Sequence, residues 1–169
     1  RGYFAQVDDS TLKYDGATAV NMAGNFSNSA TTLIVDSTAG FRETGTLKIG
    51  TEYMTYTGLT ATSFTGITRA HSGAAAQHND NAAVVQALGK AETTVFLESV
   101  TDFETTGSIK IGSEVVTYTG IDTANNSLTG VARGSLGTTA AVADDNTAAA
   151  STQVKVIAGT SSDPGVSFG

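Results

Sequence analysis

A chain of 169 residues with 40% hydrophobic side chains can build a core and is not a disordered polar polymer. Only 15% of it is charged, its formal net charge is −7, and it has no cysteine. Those values argue against a nucleic-acid partner, against attraction to anionic membrane surfaces and against any disulfide framework. No stretch approaches the roughly 20 apolar residues of a membrane span, so no membrane insertion is expected. Gly, Ala, Thr and Ser fill the space that charge leaves, with one proline, Pro164, and no tryptophan. Thr and Val favour strands and glycine punctuates turns, so composition points to an all-β fold. The chain starts at Arg1, which leaves open an export signal removed ahead of it.

Residues 1–29 have no visible counterpart later in the chain. Tyr3 to Val7 and Thr18 to Met22 read as strands, either extra strands of the first domain or an arm. In the second reading Tyr3, Phe4, Ala5, Gln6 and Val7 add to a sheet in a neighbouring copy.

From residue 30 the chain repeats itself. Thr31–Gly58 reads TTLIVDSTAGFRETGTLKIGTEYMTYTG and Thr93–Gly120 reads TTVFLESVTDFETTGSIKIGSEVVTYTG; 14 of the 28 ungapped pairs are identical. The match resumes at Ser63-Phe64-Thr65-Gly66 and Ser127-Leu128-Thr129-Gly130, with two extra residues in the second copy's turn. A repeat of this length signals one supersecondary unit used twice. The expected organisation is an arm over 1–29, unit 1 over 30–89, unit 2 over 90–158 and a Ser/Gly-rich tail over 159–169.

Each unit reads as about five short strands, which suits a small barrel or sandwich. Thr46 to Ile49 turns Leu47 and Ile49 to one side. Thr51 to Thr57 turns Glu52, Met54 and Tyr56 to one face and Tyr53 and Thr55 to the other. The connectors Gly50-Thr51 and Gly112-Ser113 suit two-residue hairpin turns. Ala82 to Gln86 closes the first unit as a strand, with a short helix over Ala82 to Lys90 as a weaker alternative, and Gln153 to Ile157 closes the second.

The search for chemistry finds little. His71, His78 and Asp80 fall in one Gly/Ala-rich stretch that lacks histidine in the second copy, so they read as exposed loop residues and no metal is expected. Asp144-Asp145-Asn146 and His78-Asn79-Asp80-Asn81 lack EF-hand spacing. Glu52 and Glu114 recur at matching places, as do Arg69 and Arg133. An acid and a base need unlike environments, whereas copies have like ones. A structural Glu–Arg pair inside each unit is therefore expected, with no catalytic residue and no cofactor. Asn25-Phe26-Ser27 and Asn125-Asn126-Ser127 make Asn25 and Asn125 candidate acceptors for N-linked glycans.

The repeated string G-[TS]-[LI]-K-I-G-[TS]-E-x-x-T-Y-T-G, followed by S-x-T-G-[IV]-x-R, resembles a β repeat of uncharacterised structural proteins. These occur in tailed-phage virions and environmental bacteria, and include subunits of extracellular helical filaments. Gly137-Thr138-Thr139-Ala140 matches a stretch common after the Arg of such repeats, whereas the first copy departs with Ala74-Ala75-Ala76. The resemblance covers about 31–157 and implies shape and self-assembly, with no catalytic residues to transfer. The expected function is a non-enzymatic, homopolymeric subunit of an extracellular filament, with copies of itself as partner and covalent glycans as an option. The alternatives are a virion component (tail, fibre or decoration) and a carbohydrate-binding surface module that stacks sugars on Tyr53, Tyr56 and Tyr118.

Overall fold

The computed structural model describes residues 3–158, with side-chain environments from 9 to 153. The tail over 159–169 lies outside the described residues. Two strands open the chain, β1 (Tyr3–Thr11) and β2 (Ala17–Ala19). The first repeat supplies β3 (Leu33–Ile34), β4 (Gly45–Ile49), β5 (Glu52–Tyr56), β6 (Gly58–Thr60), β7 (Ser63–Thr65), β8 (Thr68–Ser72) and β9 (Ala83–Leu88). The second supplies β10 (Val95–Phe96), β11 (Gly107–Ile111), β12 (Glu114–Tyr118), β13 (Gly120–Asp122), β14 (Ser127–Thr129), β15 (Ala132–Ser135), β16 (Ala143–Asp144) and β17 (Ala148–Ala158). The fold is all-β and there is no helix among the described residues; the stretch with a helical alternative holds β9.

Each unit has one larger antiparallel sheet and one small one. Unit 1 joins β9-β4-β5-β8, with β2 on the outer side of β9; unit 2 joins β1-β17-β11-β12-β15. The small sheets are β3-β7-β6 and β10-β14-β13. Ile49 pairs with Glu52, and Ile111 with Glu114, so each central hairpin closes through two residues. Gly50 (φ 60°) and Gly112 (φ 58°) occupy the first loop position, where this turn needs a left-handed residue.

Alternation along the strands sets the cores. In β5 the buried side chains are Glu52, Met54 and Tyr56; in β12 they are Glu114, Val116 and Tyr118. Unit 1 packs Leu33, Leu47, Met54 and Phe64 where unit 2 packs Val95, Ile109, Val116 and Leu128. The swaps keep the chemistry apolar and exchange volume between neighbours, which close-packed interiors tolerate best. Thr38 is buried in unit 1 and gives its hydroxyl to Thr60 O at 2.5 Å; Val100 takes the same place in unit 2.

The leading residues serve both units. Val20 N donates to Ala82 O (2.9 Å) and Val20 O accepts from Asn81 N (2.8 Å). Leu12 N donates to Thr147 O (2.8 Å) and Leu12 O accepts from Asn146 N (2.9 Å). Leu12 therefore fills in unit 2 the place of Val20 in unit 1, and each is fully buried in its own core. Ser10–Asp15 and Thr18–Ala23 share no identical residue at these places, so the correspondence is written in hydrogen bonds alone. Unit 1, from β2 to β9, is thus inserted between the first strand of unit 2 and the rest of it.

The units also interlock. Leu88 ends β9 of unit 1 yet lies in the core of unit 2, where it pairs with Ala143. Phe26 holds the corresponding place in unit 1, bridged to His78. Across the same junction Lys48 Nζ and Tyr53 Oη each bind the Asp144 carboxylate at 2.5 Å.

Candidate functional site

Three features hold most of the chemistry: a Glu–Arg clamp in each unit, a cleft between the units and the ribbon formed by β1 and β17. The clamps follow from strand phase. Glu52 opens β5 on the core face and is 1% exposed, so its charge must be met inside. Arg69, on β8, meets it with two parallel bonds, Nε to Oε1 at 2.9 Å and Nη2 to Oε2 at 2.8 Å. The amides of Ala70 and Ala76 donate to the same carboxylate at 3.2 and 3.1 Å. Glu114 and Arg133 repeat the fork at 2.8 and 2.9 Å, with amides from Gly134 and Ala141 at 2.8 and 3.0 Å. Each arginine also donates to the backbone carbonyl of the segment leading into its unit, Ser27 for Arg69 and Gly89 for Arg133. The fork therefore ties hairpin, loop and leader together, and its free lone pairs are spent on backbone.

Burial alone would raise both carboxyls. Arg69, His78 and the Ala76 and Ala70 amides outweigh it and hold Glu52 at about 2. Arg133 and the Ala141 and Gly134 amides likewise hold Glu114 below the usual carboxylate range. Carboxylates kept ionised this firmly accept hydrogen bonds; they are poor proton donors near neutrality.

His78 departs from the exposed-loop expectation. Its Nε2 lies 2.7 Å from Glu52 Oε2 and its ring stacks on Phe26, with centroids 6.3 Å apart and planes 20° apart. An ionised carboxylate only accepts, so Nε2 carries the proton. The loop after β8 turns back over Glu52 to place the Ala76 amide, and two residues later His78 reaches the same oxygen. In unit 2 that place belongs to Ala143, which has no side chain to offer. His71 instead accepts from Lys90 N at 3.0 Å, so the two histidines serve different neighbourhoods. No cluster of three His, Asp or Glu side chains suited to a metal exists among the described residues.

The cleft has a volume of about 790 Å³ and draws its walls from both units. Unit 1 contributes Phe41, Arg42, Glu43 and Gln86; unit 2 contributes Lys13, Tyr14, Glu92 and Phe96. Arg42 lies with its guanidinium 3.0 Å from the centre of the Phe96 ring. Its own carbonyl accepts from Tyr56 Oη at 2.6 Å, just as Glu104 O accepts from Tyr118 Oη at 3.1 Å in unit 2. Gly16 backs onto the Phe41 ring so closely that a Cβ there would sit 2.6 Å from it. Glu92 takes the Thr46 hydroxyl at 3.0 Å, and burial pushes its carboxyl up. Sequence reasoning missed this cleft because its walls come from both units and include positions at which the copies differ, such as Arg42 against Glu104.

The ribbon is the third feature. Tyr3, Phe4, Ala5, Gln6 and Val7 pair with Ala158 through Val154 of the same chain. The register jumps between Val7 and Asp9, opposite Ser151–Gln153, so β17 changes course there. Before the jump β17 lies between β1 and β11; beyond Gln153 it pairs with β1 alone among the described residues.

The remaining candidates are dispersed. Asn25 has φ 65° and accepts from Asp80 N at 3.2 Å. Asn125 is exposed on a turn, with Nδ2 given to Asp122 at 2.7 Å, while the Ser127 of its acceptor pattern is buried. Tyr56 and Tyr118 are buried in the cores, so neither offers an open stacking face for sugars, while Tyr53 is half-buried with its hydroxyl engaged by Asp144. Comparisons with protein families, with curated proteins and with solved structures give no match to this chain.

Proposed function

We propose that the protein is a non-enzymatic structural subunit that polymerises into an extracellular filament by strand addition between copies. The observation that carries this reading is the outer ribbon, where Tyr3–Val7 and Val154–Ala158 pair only with each other among the described residues. A two-stranded ribbon is marginal in water by itself, and its open edges offer unpaired amides and carbonyls. A third strand from a neighbouring copy relieves both, and a contact between unlike surfaces that does not close on itself gives an open helix. The clamps fit this role: their carboxylates are spent on holding the scaffold, with no reactive group left over. The absence of cysteine suits a subunit whose durability comes from pairing with copies of itself.

Electron microscopy and sedimentation of the purified full chain test the proposal. Filaments are expected from the intact protein, and folded monomers from a variant lacking residues 1–7, since Ser10–Thr11 still pair with Ala149 and Ala148. Monodisperse monomers from the intact chain under all conditions tried would remove the reading.

A further inference from the structure

We infer that the cleft between the units binds an acidic saccharide, with Arg42 as the anchor for a uronate carboxylate. The inference is independent of polymerisation and uses none of the residues of the ribbon.

The argument starts from Arg42. It is half-buried, it lies over Phe96, and no carboxylate or hydrogen-bond acceptor reaches its guanidinium among the described residues. A guanidinium carries five N–H donors in a rigid fork that matches a carboxylate. The other two arginines of the scaffold, Arg69 and Arg133, spend theirs on a buried glutamate and on backbone carbonyls. Arg42 presents the same fork to a cavity. Burial lowers its affinity for the proton, as expected for a cation without a contacting counter-charge.

The rest of the wall narrows the ligand. Lys13 is engaged by Asp15 at 3.3 Å and by Glu98 at 3.1 Å, and Glu92 is engaged by Thr46. Arg42 is therefore the cation free to take an anion, while Asp15 and Glu43 stand on the rim. Those carboxylates repel the dense charge of a polyphosphate more than the single charge that each uronate ring carries, and they accept hydrogen bonds from hydroxyls. Thr44, Thr93 and Thr94 add further hydroxyl and backbone partners. One carboxylate surrounded by several hydroxyls is the chemistry of a uronic acid. A neutral sugar is disfavoured because it gains most from a bare aromatic face, and here Phe96 is covered by Arg42 and Phe41 is backed by Gly16. The volume of about 790 Å³ lies within the roughly 300–1,000 Å³ typical of small-molecule sites.

Titration of the full chain with trigalacturonate, followed by calorimetry and by NMR of ¹⁵N-labelled protein, tests the inference. Saturable binding is expected, with shifts centred on Arg42, Thr93 and Thr94. Arg42→Gln is expected to weaken it by about tenfold or more, the loss of one charge-assisted fork, with Arg42→Lys in between. Arg42 donates no side-chain hydrogen bond among the described residues, so an unchanged melting curve for Arg42→Gln separates lost binding from lost structure. Absence of saturable trigalacturonate binding would overturn the inference. So would equal binding by Arg42→Gln, or maltotriose or polyphosphate binding as tightly as trigalacturonate.

Discussion

The two units share a clamp and differ around it. In unit 1 Glu52 faces two side-chain partners, Arg69 and His78, with Phe26 stacked on the imidazole and Arg69 4.3 Å from the same ring. In unit 2 Glu114 faces Arg133 alone, because Ala143 replaces His78 and Leu88 replaces Phe26. The glutamate and arginine recur because a buried charge in a small β unit cannot go unmet. The histidine varies because it is a second partner, and a carboxylate already held by a fork and two amides tolerates its loss. What both copies keep is scaffold. What only one copy has, such as His78 or Arg42, makes the surroundings of the two units differ.

The sharpest test of that comparison removes the arginines. Arg133→Ala strands Glu114 with no cation and is expected to cost about 3–5 kcal/mol, read from urea denaturation. Arg69→Ala leaves His78 beside Glu52 and is expected to cost measurably less. Equal losses would show that His78 contributes nothing to the clamp.

Leu88→Ala comes next, at about 2–5 kcal/mol for a truncated core leucine. Leu88 belongs to a unit 1 strand but to the unit 2 core, so amide exchange is expected to rise in β11 and β12 more than in β4 and β5. The reverse order would place Leu88 in the wrong core.

Acid titration compares the carboxyls directly. Glu52 is held at about 2 in the folded chain, below its ordinary value of 4.5, so its contribution is full above the unfolded value. That contribution is lost as pH falls from about 5 toward 2. Glu52→Gln is expected to flatten the stability curve over that window; an unchanged slope would sink the assignment. The smallest effect belongs to the tyrosine hydroxyls. Tyr56→Phe and Tyr118→Phe each remove one bond to a loop carbonyl and are expected to cost about 1 kcal/mol.

The alternation in β4, β5, β11 and β12 was legible because a half-buried strand writes its faces into a period of two. The glycine turns were legible because a two-residue hairpin needs φ > 0. The pairing of Glu52 with Arg69 was accessible from recurrence at matching places. The place of Leu12 was not, because Ser10–Asp15 shares only hydrogen-bonding geometry with Thr18–Ala23, and geometry leaves no residue identity behind. His78 was hidden for a related reason: it reaches Glu52 through a loop whose path depends on the clamp it joins. The cleft was hidden because its walls come from two units, and recurrence within each unit does not reveal which faces of the two meet.

Tyr3 meets Ala158 across nearly the whole chain, and this arrangement has a consequence for synthesis. β1 is made long before β17, the strand it pairs with. Unit 1 is complete once β9 has emerged, whereas unit 2 waits for β17 before β1 can be seated. Contacts so distant along the chain close slowly, and in the interval the leading strand is a free edge on a nascent molecule. A strand from another copy that paired with β1 in that interval would have to be displaced before β17 could take its place.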